Sequence, residues 1–353
     1  MPSLAAVSTI DFPHKISQQA VREFSREVFA PSFPEIGRLL PVFDNTQIVS
    51  RNLCMPLEYY LQTHTFGEQN RDFIRLALDY SVEAAEACLA SAGIAPHAVT
   101  DVVVVTTTGL ATPSLDALLI NRMRLNPRAN RMSVFGLGCA GGVSGFAKAS
   151  ALAKADPKAA VLLVVAELCS LTFLRNDFRK SNFIGSSLFA DGIAACLILG
   201  DEHEAARRKS VRFVGSRSRL YYDTLDIMGW DFTDQGFKVL FSPGIPALIA
   251  AHVREDTTRF LAEYSLSLSD IGYYIFHPGG RKVLEAYQEA LRAEGDFLRT
   301  TREVMRDYGN MSSASVLYVL KRFFDGGATG FGLIMAMGPG FSSEMVLLDM
   351  NRK

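Results

Sequence analysis

Residues 135–145 read FGLGCAGGVSG. Gly136, Gly138 and Gly141 match G-x-G-x-x-G, the spacing with which a strand-to-helix turn cradles a dinucleotide pyrophosphate, but Cys139 occupies the middle of the run. The stretch can hold a phosphate or present a thiol, and each option belongs to a different fold. A dinucleotide loop opens its domain and has an acid at the end of the next strand. Glu167 meets the second condition. The first fails, because the apolar run TDVVVVTTTG (100–109) already reads as a strand upstream of the loop.

Outward from the loop, short apolar runs alternate with helical patterns. Besides 100–109, the strand-like runs are AAVLLVVAEL (159–168), IAACLILG (193–200), IGYYIFHPG (271–279) and FGLIMAMGPG (331–340). Helical patterns cover 71–93, 142–156 and 246–264. The class is α/β.

An internal repeat organises these elements. A shift of 171 positions, from 139 to 310, lays Cys139 on Asn310, Thr106 on His277, and the run 159–168 on 330–339. Each half then reads helix, strand, turn, helix, strand, as a duplicated unit. The polar stretch GDEHEAARRKS (200–210) reads as the linker, which sets the halves at 1–205 and 206–353. If they pack about a pseudo-twofold axis, Cys139 and Asn310 meet at matched helix N-termini, with His277 arriving from the preceding turn. A helix N-terminus and an adjacent imidazolium both stabilise a thiolate, so this convergence predicts an activated nucleophile.

Composition narrows the alternatives. Lys and Arg number 36 against 37 Asp and Glu, leaving a net charge of −1, so nothing global attracts nucleic acid or an anionic membrane. Five cysteines without a C-x-x-C spacing argue against a disulfide framework and a thiolate metal site, and imply a reducing compartment. No leader pattern opens the sequence and no apolar run approaches the ~18 residues of a membrane span. A cytoplasmic protein is expected.

The motifs GLGCAGG (136–142), HPGG (277–280), GNMSSASV (309–316) and MGPGFSSE (337–344), in this order, resemble those of the thiolase-fold condensing enzymes. With LFADG (188–192) and ELCSLTF (167–173), the resemblance is to the type III polyketide synthases, the chalcone synthase-like family in its bacterial form, from about residue 40 to the C-terminus. It implies a five-layered αβαβα sandwich and a homodimer. It also implies iterative decarboxylative condensation of malonyl-CoA onto an acyl-CoA starter, both as substrates, with no metal or other cofactor. Cys139 would carry the acyl chain as a thioester and form an ion pair with His277, while His277 and Asn310 would hold the enolate left by decarboxylation. A ketoacyl synthase III-like enzyme making one condensation is the alternative, and a non-catalytic CoA-binding module would have little use for the Cys, His, Asn set.

Further positions carry over singly. Phe189 matches the family's gatekeeper phenylalanine, and Val239 stands where the second gatekeeper is expected, which predicts a wider passage, an aliphatic starter and pyrone or resorcinol products. Cys169, Thr172, Thr107, Thr108 and Ser312 match cavity-wall positions, as do Gly338, Pro339 and Gly340. Arg51, Gly279, Gly280 and Lys282 match the CoA-binding mouth.

Overall fold

The computed structural model describes residues 1–33, 35–207, 211–293 and 295–351. Of the expected linker, Arg208, Lys209 and Ser210 lie outside the described residues; Glu204–Arg207 form a 3-10 turn. One nine-stranded mixed sheet runs through the molecule. From edge to edge its strands are Ile271–Phe276, Phe331–Gly338, Ser342–Asp349, Val211–Leu220, Ser3–Thr9, Asp191–Leu199, Ala160–Leu168, Asp101–Thr106 and Asn130–Phe135.

All five sequence-predicted strands are among them, and the predicted helices are found at Phe66–Ala92, Gly141–Ala155 and Ile245–Ala262. Ser3–Thr9 is an addition to the expected set, since a short SLAAVST run carries no turn signal and weak strand character. It matters most for architecture. Antiparallel pairing with Asp191–Leu199 anchors it in the first half, and Ser3 and Leu4 pair with Arg212 and Val211 of the second, so one strand joins the two halves of the sheet.

Strand periodicity sorts side chains into three apolar layers. Val103, Val105, Leu163 and Val165 face a central core with Ile275, Ile334 and Ala336 of the second half. Between these sheet faces lie two helices, Gly141–Ala155 and Ser315–Asp325, contributing Phe146, Ala149, Leu317 and Leu320. Val102, Val104 and Leu162 face outward onto Phe66–Ala92. Tyr274, Phe276 and Met335 face outward onto Ile245–Ala262 and Arg281–Leu291. Helix, sheet, helix, sheet, helix is the five-layered thiolase arrangement. No described helix is long and apolar enough to cross a membrane.

The central pair of helices meets end to end. A Cβ at Gly142 would collide with the Ser313 carbonyl oxygen, and one at Gly141 would stand 3.3 Å from Ser313 Cβ. Only a residue without a side chain lets the two N-termini approach this closely. Gly142→Ala is therefore expected to lose about 1–3 kcal/mol through overpacking against backbone, read as a lower melting temperature, whereas alanine at the open position Gly37 should melt near the native value.

Candidate active site

The loop 135–145 presents a thiol. Gly136 and Gly138 take φ values of +86° and +48°, and Gly138–Ala140 form a 3-10 turn that runs directly into helix Gly141–Ala155. A Cβ at Gly138 would sit 2.5 Å from Pro339 Cδ, and one at Gly338 would strike the Leu137 carbonyl oxygen. Of the glycines that imitate a pyrophosphate loop, Gly138 thus serves close packing on the segment 337–340 and Gly141 on Val105 and Ser313, while Gly136 supplies the positive φ of the turn. Gly338 and Pro339 consequently press on the nucleophile loop instead of walling the substrate cavity; of that strand end, Met337 faces the cavity. Gly340, at φ +115°, accepts a hydrogen bond from Thr224 Oγ1 at 3.2 Å, a structural contact as well.

Cys139, His277 and Asn310 line one cavity of about 520 Å³. Asn310 is oriented by its neighbours: its Oδ1 accepts from the Ser312 N–H at 2.9 Å and its Nδ2 donates to the Gly279 carbonyl at 3.3 Å. His277 hangs from the end of strand Ile271–Phe276, its N–H bound to the Met335 carbonyl at 2.9 Å. Both ring nitrogens are buried without a protein partner. An imidazole held this way is poised for a ligand, because leaving such atoms unsatisfied costs about 1–3 kcal/mol.

The expected ion pair is absent from this resting arrangement. The Cys139 thiol donates to Ser312 Oγ, at 3.9 Å, and not to His277. Burial pushes the thiol up to about 12 and the imidazole down to about 3, since each charged form would lose its water. In both groups burial favours the uncharged form. Cys139 nevertheless differs from the other cysteines, being half-buried while Cys54, Cys88, Cys169 and Cys196 are buried.

Behind the triad, Phe189 closes an inner chamber. It caps helix Lys180–Leu188 and stacks on Phe241 at 5.6 Å between centroids, with Trp230 at 6.2 Å. Cys169, Thr172 and Val239 line the chamber as expected, alongside Phe24, Leu57 and Phe173. Val239 does not open a wide passage, however. It lies opposite Trp230 in the hairpin Met228–Thr233/Gly236–Phe241, and Trp230 packs on Phe237 at 5.9 Å, so aromatic rings from the same hairpin take up the space and the chamber holds only about 60 Å³. Sequence reasoning missed Trp230, Phe237 and Phe241, which no local motif marks.

Thr107 and Thr108 serve a buried carboxylate. The Thr107 N–H and the Thr108 hydroxyl donate to Glu167 Oε2 at 3.1 and 2.9 Å, and the Ser313 hydroxyl donates to Oε1. Glu167 thereby ties the two halves together beside Cys139; burial raises its carboxyl to about 7. At the mouth of the triad cavity, Gly279, Gly280 and Lys282 are in place, joined by Arg281, which sequence reasoning overlooked. Arg51 is not at this mouth. It is 1% exposed, its Nη atoms donate to three backbone carbonyls and to Gln18 Oε1, and its Nε is buried without a partner.

Family models for the N-terminal and C-terminal domains of chalcone and stilbene synthases match residues 61–202 and 217–351. The chain belongs to the chalcone and stilbene synthase family. A putative chalcone synthase of Bacillus subtilis is 41% identical over the whole of both chains. A 1,3,6,8-tetrahydroxynaphthalene synthase of Streptomyces peucetius is 35% identical over 98% of this chain and 92% of its own. The crystal structure of the tetrahydroxynaphthalene synthase of Streptomyces coelicolor, a bacterial type III polyketide synthase, superposes with a TM-score of 0.93 at 28% identity, covering 99% of this chain and all of that one. This member is accordingly an acyltransferase of the type III polyketide synthase class.

Iodoacetamide is expected to label Cys139 ahead of the four buried cysteines. With the thiol held far above neutrality, the thiolate fraction, and hence the rate, should climb about tenfold per pH unit over roughly pH 6 to 9. Peptide mapping with timed quenching measures both; a flat profile would reveal an ion-paired thiolate.

Proposed function

We propose that this chain condenses malonyl-CoA units decarboxylatively and iteratively onto an acyl-CoA starter. The observation that carries this reading is the convergence of Cys139, His277 and Asn310 on one cavity, with both imidazole nitrogens free of protein partners. The anionic CoA would enter where Arg281 and Lys282 begin the helix Arg281–Leu291, whose free N–H groups favour phosphate.

Chemistry follows from the neutral resting pair. As the Cys139 sulfur attacks the starter thioester, His277 takes its proton, leaving the acyl group on the cysteine and a transient imidazolium that protonates the departing CoA thiolate. Malonyl-CoA then loses CO₂, and the electron pair of the broken C–C bond passes into an enolate whose oxygen faces His277 and Asn310 Nδ2 as donors. Its carbon attacks the Cys139 thioester, breaking the C–S bond so that the cysteine leaves as thiolate and the chain, two carbons longer, is a β-ketoacyl-CoA. For the next round that thiolate attacks the new thioester, and the departing CoA thiolate takes a proton from solvent. Decarboxylation supplies the carbanion equivalent, so the reaction needs neither metal nor redox cofactor. The exposed edge strand Asn130–Phe135 is where a second copy would join a homodimer.

We infer an aliphatic starter and pyrone or resorcinol-type products from the chamber's apolar walls, Phe24, Leu57, Phe173 and Val239. In so small a chamber each methylene that finds room gains about 0.8 kcal/mol, so a single ring at the gate decides how much chain fits.

Two experiments test these readings. Cys139→Ala should keep decarboxylating malonyl-CoA while forming no condensed product, and Asn310→Ala should lose decarboxylation about 100-fold, the usual effect of deleting an oxyanion donor. Equal, complete loss of both activities in both variants would contradict the separate roles. In a starter series from acetyl- to palmitoyl-CoA plus coumaroyl-CoA, native enzyme should favour aliphatic chains and Val239→Phe should shift the optimum toward short ones. Preference for coumaroyl-CoA, or an unmoved profile in the variant, counts against the aliphatic starter and leaves the condensing chemistry untouched.

A further inference from the structure

Arg51 lies on strand Ser50–Leu53, wholly enclosed, and among the described residues it has no ion-pair partner within 4 Å. Its guanidinium instead gathers oxygens. Nη1 donates to the carbonyls of Ser186 at 2.7 Å and Phe189 at 2.8 Å; Nη2 donates to the Ser187 carbonyl at 2.8 Å and to Gln18 Oε1. Ser186 and Ser187 belong to the last turn of helix Lys180–Leu188, where carbonyls have no intrahelical partner and carry the negative end of the helix dipole. The count closes completely. Gly185 O accepts from the Phe189 N–H, Leu188 O accepts from the Asn310 N–H, and Arg51 takes the others.

That count links two functional residues. Phe189 and Asn310 form a parallel bridge: the Asn310 N–H donates to Leu188 O and the Ala190 N–H donates to Asn310 O, each at 2.9 Å. Gly309, at φ +76°, lets the crossing happen; a Cβ there would stand 3.1 Å from Ala190 Cβ and 3.3 Å from Arg51 Cβ. Gln18 locks the guanidinium in turn, its Nε2 donating to the Ser187 and Phe43 carbonyls and to Thr46 Oγ1. Burial works against this cation and the Asp191 carboxylate, beyond ion-pair distance, favours it only in part. Its Nε has no partner, and the planar fork is used through its two Nη atoms, which reach all these oxygens.

We propose that Arg51 is a positioning residue that clamps the end of helix Lys180–Leu188, and thereby holds the Phe189 gate and the Asn310 backbone in a single register. Through Phe189 it sets which starters fit; through Asn310 it sets the rate of malonyl decarboxylation. The claim about turnover rests on the condensing reaction proposed above, but the claim about geometry does not. Trp230, the single tryptophan of the chain, packs against Phe189 and reports on the gate without any substrate.

The test compares native enzyme with Arg51→Met, which keeps length and loses every donor, Arg51→Lys, which keeps charge without the fork, and Gln18→Ala. Three readouts are taken: the ratio of kcat/KM for decanoyl- to acetyl-CoA starters, the malonyl-CoA decarboxylation rate, and acrylamide quenching of Trp230. In Arg51→Met the ratio should move about tenfold and decarboxylation fall about 100-fold, as expected for a donor displaced by about 1 Å, with quenching increased. Arg51→Lys should fall between, and Gln18→Ala should show the same pattern more weakly. Variants that fold, as judged by circular dichroism, yet keep native ratio, decarboxylation and quenching would overturn the proposal, as would losses that track melting temperature alone with no change in ratio. Should Arg51→Met fail to fold, Arg51→Lys and Gln18→Ala decide by the same criteria. Native enzyme that fails to condense malonyl-CoA would sink the functional reading alone, because the quenching comparison still judges the clamp.

Discussion

Everything at this site depends on two helices that start nose to nose. Gly142 and the Ser313 backbone approach because neither side of the contact carries a side chain into it, and 142 and 313 are equivalent positions under the 171-residue shift. Cys139 stands on the turn before one helix and Asn310 just before the other, so the separation of these two residues is set by backbone packing and not by flexible side chains. The segment 337–340 braces the same turn from behind through Pro339. Glu167 adds a polar tie between the halves, receiving donors from Thr107 and Thr108 on one side and Ser313 on the other.

Burial is the second consequence. The layers that bring the helices together enclose the triad, and desolvation then works against charge on both partners: the thiol rises and the imidazole falls. A neutral imidazole is not a defect here. It can donate one N–H to a developing oxyanion and accept a proton at the other nitrogen, and its present lack of partners means that substrate displaces no competing hydrogen bond.

Backbone contacts carry the order one step further out. The Phe189 ring ends a helix, the carbonyls of that helix end are taken by a buried guanidinium, and the next residues pair with Asn310. Chamber size is then a collective property of the aromatic hairpin, with Trp230, Phe237 and Phe241 filling the space that Val239 leaves.

Much of this was legible in the chain. The 171-residue repeat put Cys139 opposite Asn310 before any coordinates, because duplicated apolar runs must bury the same faces and so must return to equivalent positions. The five predicted strands and the long helices were readable for the same reason: continuous β-branched or aromatic apolar runs and 3.6-residue periodicity are local. What only the tertiary structure decided are the quantities that depend on who sits next to whom. Ser3–Thr9 joins the two sheet halves through pairing partners remote in sequence. Resemblance set Arg51 at the CoA-binding mouth, because a motif match carries no signature of burial, and its partners are carbonyls some 135 positions away. The protonation states of Cys139 and His277 followed desolvation, not adjacency in a motif. Sequence determined which residues meet, since periodicity and repetition are written along the chain; folding determined what their meeting does, since charge, volume and hydrogen-bond count are properties of the enclosed space.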